Sequence, residues 1–332
     1  MVRFQKILCP VDFFKPSTHA FSYALKLAVN YGASVHALHV VAPVIPAAYG
    51  APFNIEELTT GLEKESVRLL QKLKNGAEKS GVSVTTEVRM GDIDLEIRHV
   101  LETQKADLVV MGTHGRRGFE RLVMGSITER MIRHCPVPLI TVGPGRKGAA
   151  PPDIRRILVT TDFSEGTHDA MDHALSIAQE CQAKVTLLHV VHDLAADFSA
   201  KYHEQLFQGI QTEMQKLIPA EALNWCEVET RIEAGLPYQV ISEFVQSGKF
   251  DLLVMNIHGK NMLDRVLVGS TAERSVRVAS ETCPVLLIPP PVSKKESRQP
   301  RSSGLQPSAP RWKRRALRAM RRYREQGGFV VS

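Results

Sequence analysis

The chain has 332 residues, about twice the usual domain size, and 43% hydrophobic with 23% charged residues is ordinary globular composition for two cores. No apolar run approaches the ~18 residues needed to cross a bilayer, which excludes a helical membrane protein. The net charge of +7 belongs to one end: residues 294–332 carry twelve Lys or Arg against Glu296 and Glu325, so the tail is +10 and the body −3. A mildly acidic body gives no reason to read the folded part as a nucleic-acid binder.

In chain order, MVRFQKILCPVDF has no apolar leader with a small-residue cleavage site, so no secretory signal is expected and the cytoplasm is the expected location. KILCPV (6–11) is a short apolar run of the kind that forms a buried strand. A helix-period stretch follows at 17–31, with Ala20, Ala24, Leu27, Ala28 and Tyr31 on one face. SVHALHVV (34–41) is a second strand, 55–79 a polar helix, and VSVTTEVRM a third strand ended by Gly91. A helix near 92–104 leads to DLVVMG, a fourth strand apolar throughout and therefore central. A helix from Ser126 and a last strand, VPLITV, complete the series.

The series then repeats. Residues 12–41 align with 162–191 at an offset of 150, with twelve identities in thirty pairs. Residues 107–133 align with 251–277 at an offset of 144, placing DLLVMN opposite DLVVMG. The expected domains are 1–143 and 154–290, joined by a Gly- and Pro-rich linker at 144–153. Residues 291–332 are expected to be a disordered basic tail. Alternating strands and helices imply parallel sheets with right-handed crossovers, and ligands in such sheets sit beyond the strand carboxyl ends.

After strand four comes Gly112, two residues, Gly115, nine residues, then Gly125 and Ser126: G-x2-G-x9-G-S. A glycine turn lets backbone N–H groups approach an anion, and the second pair opens a helix whose free N–H groups favour phosphate. The alternative is local: Ser126 with Glu129, and Ser270 with Glu273, also fit helix capping boxes. His114 and His258 lie in these loops and are read as solvent-facing or loop-supporting, while His39 and His189 are read as satisfied groups at the core edge. Five scattered cysteines (Cys9, Cys135, Cys181, Cys226, Cys283) without a CxxC pair suggest neither a zinc site nor a disulfide framework.

The PVDF and TTDFS segments, the LHVV pair and DLVVMGTHG…GS together resemble the universal stress protein (UspA-like) family in a tandem two-domain form. The resemblance covers everything but linker and tail. It implies an α/β fold of two five-stranded parallel-sheet sandwiches, Rossmann-like and related to the adenine-nucleotide alpha hydrolases. It also implies dimer-like association of the two units through their last strands. By the same resemblance the ligand is ATP, possibly with Mg, in a nucleotide-responsive regulatory module. Gly112, Gly115, Gly125 and Ser126 would hold the phosphates and Asp12 the ribose. The Pro10–Val11 and Val40–Val41 backbone would line the adenine pocket, with Met111, Arg116 and Ile127 counted beside them. A weaker second site would comprise Asp162, Val190, Asn256, Gly259, Gly269 and Ser270, because Asn256 replaces the first glycine and Thr160 replaces Pro10.

No Walker or kinase loop is present, so at most a slow ATPase side activity is expected, and no metal site of the protein's own. The other reading is a nucleotide-free scaffold that dimerises and recruits partners through the tail. If 311–325 is helical, Trp312, Ala316, Ala319, Met320 and Tyr323 share a face. Such a stretch contacts acidic protein, nucleic acid or a membrane surface, or stays solvated.

Overall fold

A computed structural model describes residues 2–42, 55–113, 124–143, 151, 153–164, 166–192, 200–247, 249–258, 269–279 and 282–290. The first repeat runs β1 (Lys6–Pro10), α1 (Lys15–Tyr31), β2 (Ser34–Val41), α2 (Ile55–Ala77), β3 (Val84–Met90), α3 (Ile93–Gln104), β4 (Leu108–Gly112), α4 (Ser126–His134) and β5 (Leu139–Val142). The second runs β6 (Arg156–Thr161), α5 (Thr167–Cys181), β7 (Lys184–Val191), α6 (Ala200–Lys216), β8 (Val228–Ala234), α7 (Pro237–Gln246), β9 (Leu252–Asn256), α8 (Ser270–Ala279) and β10 (Val285–Ile288). Helix α1 begins two residues before the periodicity suggests. Pro16 occupies its first turn, where a missing N–H costs nothing.

All ten strands form one sheet, ordered β3-β2-β1-β4-β5-β10-β9-β6-β7-β8. Pairing is parallel within each repeat and antiparallel only where β5 meets β10. At that seam Thr141, Ile140 and Leu139 face Val285, Leu286 and Leu287. Cys-Pro-Val recurs at 135–137 and 283–285 at the start of these strands, and in that alignment Leu139 pairs with its own counterpart, Leu287. An approximate twofold axis therefore passes through this pair.

Period-two alternation splits the apolar strand residues between two cores. Ile7, Cys9, Leu108, Ile140, Ile157, Val254 and Leu286 join the helices α1, α2, α5 and α6 on one face. Leu8, Val109, Leu139, Leu158, Leu253 and Leu287 join α3, α4, α7 and α8 on the other. Each core runs through both repeats, so the chain to Pro291 forms one compact unit. Residues 291–332 lie outside the described residues. No helix among the described residues is long and apolar enough to cross a membrane.

A chain ending at Gly143 would expose the β5 edge and one side of α1. Two such fragments are expected to pair through β5, giving a dimer or aggregate in light scattering; a stable monomer would count against the seam's role.

A histidine is among the polar groups buried in the first repeat. His36 on β2 is 4% exposed, with Nδ1 at 2.8 Å from Thr85 Oγ1 and Nε2 at 3.1 Å from Glu87 Oε2. Burial pulls its pKa below the ordinary histidine value, and Glu87 opposes this only in part. A depressed pKa means that the unfolded state takes up the proton first. Stability supplied by neutral His36 is therefore present above about pH 6.5 and lost as pH falls below it. Urea titrations between pH 7.5 and 5 should show this loss, and His36→Asn should flatten the slope.

Candidate nucleotide crevice

Strand order reverses between β1 and β4, so the crevice of the first repeat opens above Pro10 and Gly112. Val11 N–H donates to Leu38 O at 2.8 Å, extending the β1–β2 ladder by one rung. The Val11 carbonyl accepts from His39 Nδ1 at 2.7 Å. Phe13 follows with φ 66°, in the left-handed region, and its ring lies 4.5 Å from the His39 ring. The second repeat has the same device: Phe163 at φ 58°, 4.6 Å from His189, whose Nδ1 meets Thr161 O at 2.8 Å. A left-handed phenylalanine costs on the order of 1–3 kcal/mol, which the ring contact and the carbonyl bond offset. Residue pairing across the repeats, D-F with L-H-V-V, was the available signal for this clamp.

Asp12 sits inside that turn. Its Oδ1 accepts Ser17 Oγ–H at 2.5 Å and Phe14 N–H at 3.1 Å, and its own N–H reaches Ser17 Oγ at 3.1 Å. Oδ2 has no partner among the described residues. In the second repeat Asp162 Oδ1 likewise accepts Ser164 N–H at 3.0 Å, but the helix hydroxyl of Thr167 meets Thr161 Oγ1 at 3.3 Å instead. Ser17 and Thr167 occupy equivalent positions, and sequence reading missed both.

Gly112 ends β4, buried throughout, beside Met111. A Cβ there would stand 2.8 Å from the Pro16 carbonyl carbon and 2.9 Å from Ser17 N, so the glycine admits the backbone of α1. Thr128 Oγ1 bonds the Gly112 carbonyl at 2.9 Å, and Gly125 N–H donates to Thr113 O at 2.9 Å. The ends of the 114–123 loop are thereby held together. Gly269 N–H and Ile257 O repeat this closure at 2.9 Å. His114, Gly115, Arg116 and Gly259 lie outside the described residues, as does the Ser270 side chain.

The capping-box alternative is not realised at Ser126. The N-cap of α4 is Gly125, in extended conformation with no side-chain cap bond, and Glu129 turns instead to Arg133 at 2.9 Å. Ser126, one residue too late to cap, is exposed with no hydroxyl partner among the described residues. No side chain among the described residues caps the first turn of this helix, and Ile127 is half-buried beside it. Pro10 ends β1, Val40 and Val41 are the last two residues of β2, and Val190 is the last but one of β7.

The Asn256 position is compensated. In the second repeat Gly166 stands where the first has Pro16, and a Cβ on Gly166 would lie 3.1–3.2 Å from the Asn256 carboxamide. One repeat pairs glycine on the strand with proline on the helix; the other pairs asparagine on the strand with glycine at the helix N-cap. Asn256 Oδ1 is buried without a partner among the described residues.

Burial disfavours the thiolate at all five cysteines. Burial pushes Cys135 and Cys283 up to about 12, and Cys9 higher still. Among the described residues no three His, Cys, Asp or Glu side chains gather as a metal site.

The universal stress protein family model matches residues 3–143 and again 153–289. A universal stress protein of Methanocaldococcus jannaschii is 37% identical over 139 residues, 41% of this chain and 82% of that protein. One from Mycolicibacterium smegmatis is 26% identical over 298 residues, 86% of this chain and 97% of its own length. The crystal structure of a universal stress protein from Archaeoglobus fulgidus superimposes with a TM-score of 0.63 at 19% identity, covering 85% of this chain and 97% of that one. The chain belongs to the universal stress protein family and carries two copies of its domain.

Adding a methyl group at Gly112 should cost about 1–3 kcal/mol of unfolding free energy with or without ligand. Gly166→Ala should cost less in an Asn256→Gly background than alone, with a coupling of about 0.5–2 kcal/mol in a double-mutant cycle. Additivity would mean that the two residues do not compensate one another.

Proposed function

We propose that this universal stress protein binds an adenine nucleotide, ATP, in the crevice of its first repeat and acts as a nucleotide-responsive module of the stress response. The observation that carries the reading is the N-terminus of α4: Gly125 takes the N-cap position with no side-chain cap bond, and the Ser126 hydroxyl beside it has no partner among the described residues. In this reading Gly112, Gly115, Gly125 and Ser126 hold the phosphates, and Asp12 reaches the ribose through Oδ2. Met111, Arg116, Ile127 and the Pro10–Val11 and Val40–Val41 backbone complete the site. Mg arrives with the nucleotide and keeps most of its waters. The second repeat, with Asp162, Val190, Asn256, Gly259, Gly269 and Ser270, is the weaker site, since Asn256 removes the bare backbone of the first glycine. Five free cysteines fit work in the reducing cytoplasm.

A nucleotide-free scaffold is the second reading. It is favoured by Asp12 Oδ1, which Ser17 and Phe14 already occupy.

Protein purified gently, denatured and analysed by chromatography should release about one adenine nucleotide per chain. Gly125→Trp should empty the site, and Ser126→Ala should weaken ATP binding on the order of tenfold, the scale of a hydrogen bond to a charged group. No released nucleotide and no ATP uptake would leave the scaffold reading.

A further inference from the structure

Asp12 and Ser17 form a reciprocal pair. The Ser17 hydroxyl donates to Asp12 Oδ1 at 2.5 Å and accepts the Asp12 N–H at 3.1 Å, so one side chain fixes both the backbone and the carboxylate of the other. Phe14 N–H adds a second donor to Oδ1 at 3.1 Å. A carboxylate oxygen offers two lone-pair sites, and these two donors fill those of Oδ1. Oδ2 is the oxygen left to accept from a ligand. Ser17 itself is 5% exposed, in the first turn of α1, so it acts on a ligand through Asp12.

The room for Ser17 comes from Gly112. A Cβ on Gly112 would stand 2.8 Å from the Pro16 carbonyl carbon, 2.9 Å from Ser17 N and 3.0 Å from Pro16 Cβ. The volume that this glycine leaves is therefore taken by the first turn of α1. A side chain at 112 has to move that turn, and the Ser17 hydroxyl with it.

The second repeat shows the alternative. Asn256 stands in place of Gly112, Gly166 in place of Pro16 and Thr167 in place of Ser17. Thr161 replaces Val11 and brings a hydroxyl that the first repeat lacks at this position. That hydroxyl meets Thr167 Oγ1 at 3.3 Å and accepts Phe163 N–H at 3.0 Å. Asp162 Oδ1 keeps the turn bond from Ser164 N–H at 3.0 Å, while the helix hydroxyl has turned to the strand. The strand glycine and the pairing of helix hydroxyl with aspartate occur together in one repeat, and both are replaced in the other.

We propose that Ser17 is a positioning residue of the nucleotide site: it fixes the Asp12 carboxylate so that Oδ2 meets the ribose, and Gly112 serves the ribose as well as the phosphates by seating it. This rests on ATP binding in the first repeat. An acceptor held in place beforehand loses less rotamer freedom on binding, and without Ser17 the carboxylate is free to turn away.

Calorimetric titration of the full-length protein, freed of bound nucleotide, with ATP and with dideoxyATP tests the proposal. DideoxyATP lacks both ribose hydroxyls, so the ratio of the two affinities at the tighter site isolates the ribose contact. The parent protein should favour ATP about tenfold, the scale of a hydrogen bond to a charged group. Ser17→Ala should bring the ratio to about one and leave dideoxyATP binding nearly unchanged, since the lost interaction is one that dideoxyATP never makes. Ser17→Thr, which keeps the hydroxyl, should restore the ratio. Gly112→Ala should lower it as Ser17→Ala does, and the double variant should lower it no further. If Gly112→Ala does not fold, the two Ser17 variants decide by themselves. A ratio unchanged in Ser17→Ala, or lost equally in Ser17→Thr, would overturn the positioning role while ATP binding stands. Equal weakening of both ligands by Gly112→Ala would overturn the part given to the glycine. Binding of neither nucleotide by the parent protein would remove the nucleotide reading and this inference with it.

Discussion

The antiparallel ladder between β5 and β10 is the constraint on which the remainder of the fold depends. Parallel strands need helical crossovers, and each repeat has them on both faces. The last strand of each repeat has one edge with no neighbour of its own. Pairing these edges about an approximate twofold satisfies the backbone groups there and makes one sheet of ten strands. Leu139, Ile140, Leu286 and Leu287 are fully buried at the seam, so apolar residues on both sides of the sheet become continuous between repeats. The linkage of the two domains is therefore a shared core, with the covalent linker secondary to it.

Duplication provides an internal control for reading single residues. Where the two copies agree, the agreement has a backbone cause: Phe13 and Phe163 sit in the same left-handed turn, each braced by a histidine that bonds the carbonyl two residues earlier. Where they differ, the differences come in matched sets. Gly112 with Pro16 and Asn256 with Gly166 are two solutions to one steric problem, the close approach of a helix N-terminus to a central strand end.

Much of this was legible beforehand. Short apolar runs gave the strands and helix-period stretches the helices. The apolar β4 and β9 are central because only strands covered on both faces can dispense with polar residues. The repeat and the family were legible from PVDF, LHVV and the glycine-serine spacing. Harder to read were partnerships that depend on direction. Ser126 followed by Glu129 three residues on satisfies a capping box in letters, yet the chain enters α4 one residue earlier and Gly125 takes the cap. Asp12 is open in sequence to a ribose-contact and a turn reading, because the Ser17 hydroxyl that binds it lies five residues on, in the first turn of α1. Thr128, which holds the Gly112 carbonyl, lies sixteen residues away along a loop whose path no local pattern records.

The sequence by itself determined the element order, the duplication, the charge division between body and tail, and the strand ends, after β1 and β4, where a ligand is to be sought. These follow from periodicity, composition and the rule that a parallel sheet binds ligands where strand order reverses. Tertiary structure alone decided the cap of α4, the partner of the Asp12 carboxylate, and the exchange of glycine between strand and helix. Each is a contact between residues distant in the chain or offset by a single position. Its energy depends on distances of a few tenths of an ångström, which residue spacing does not encode.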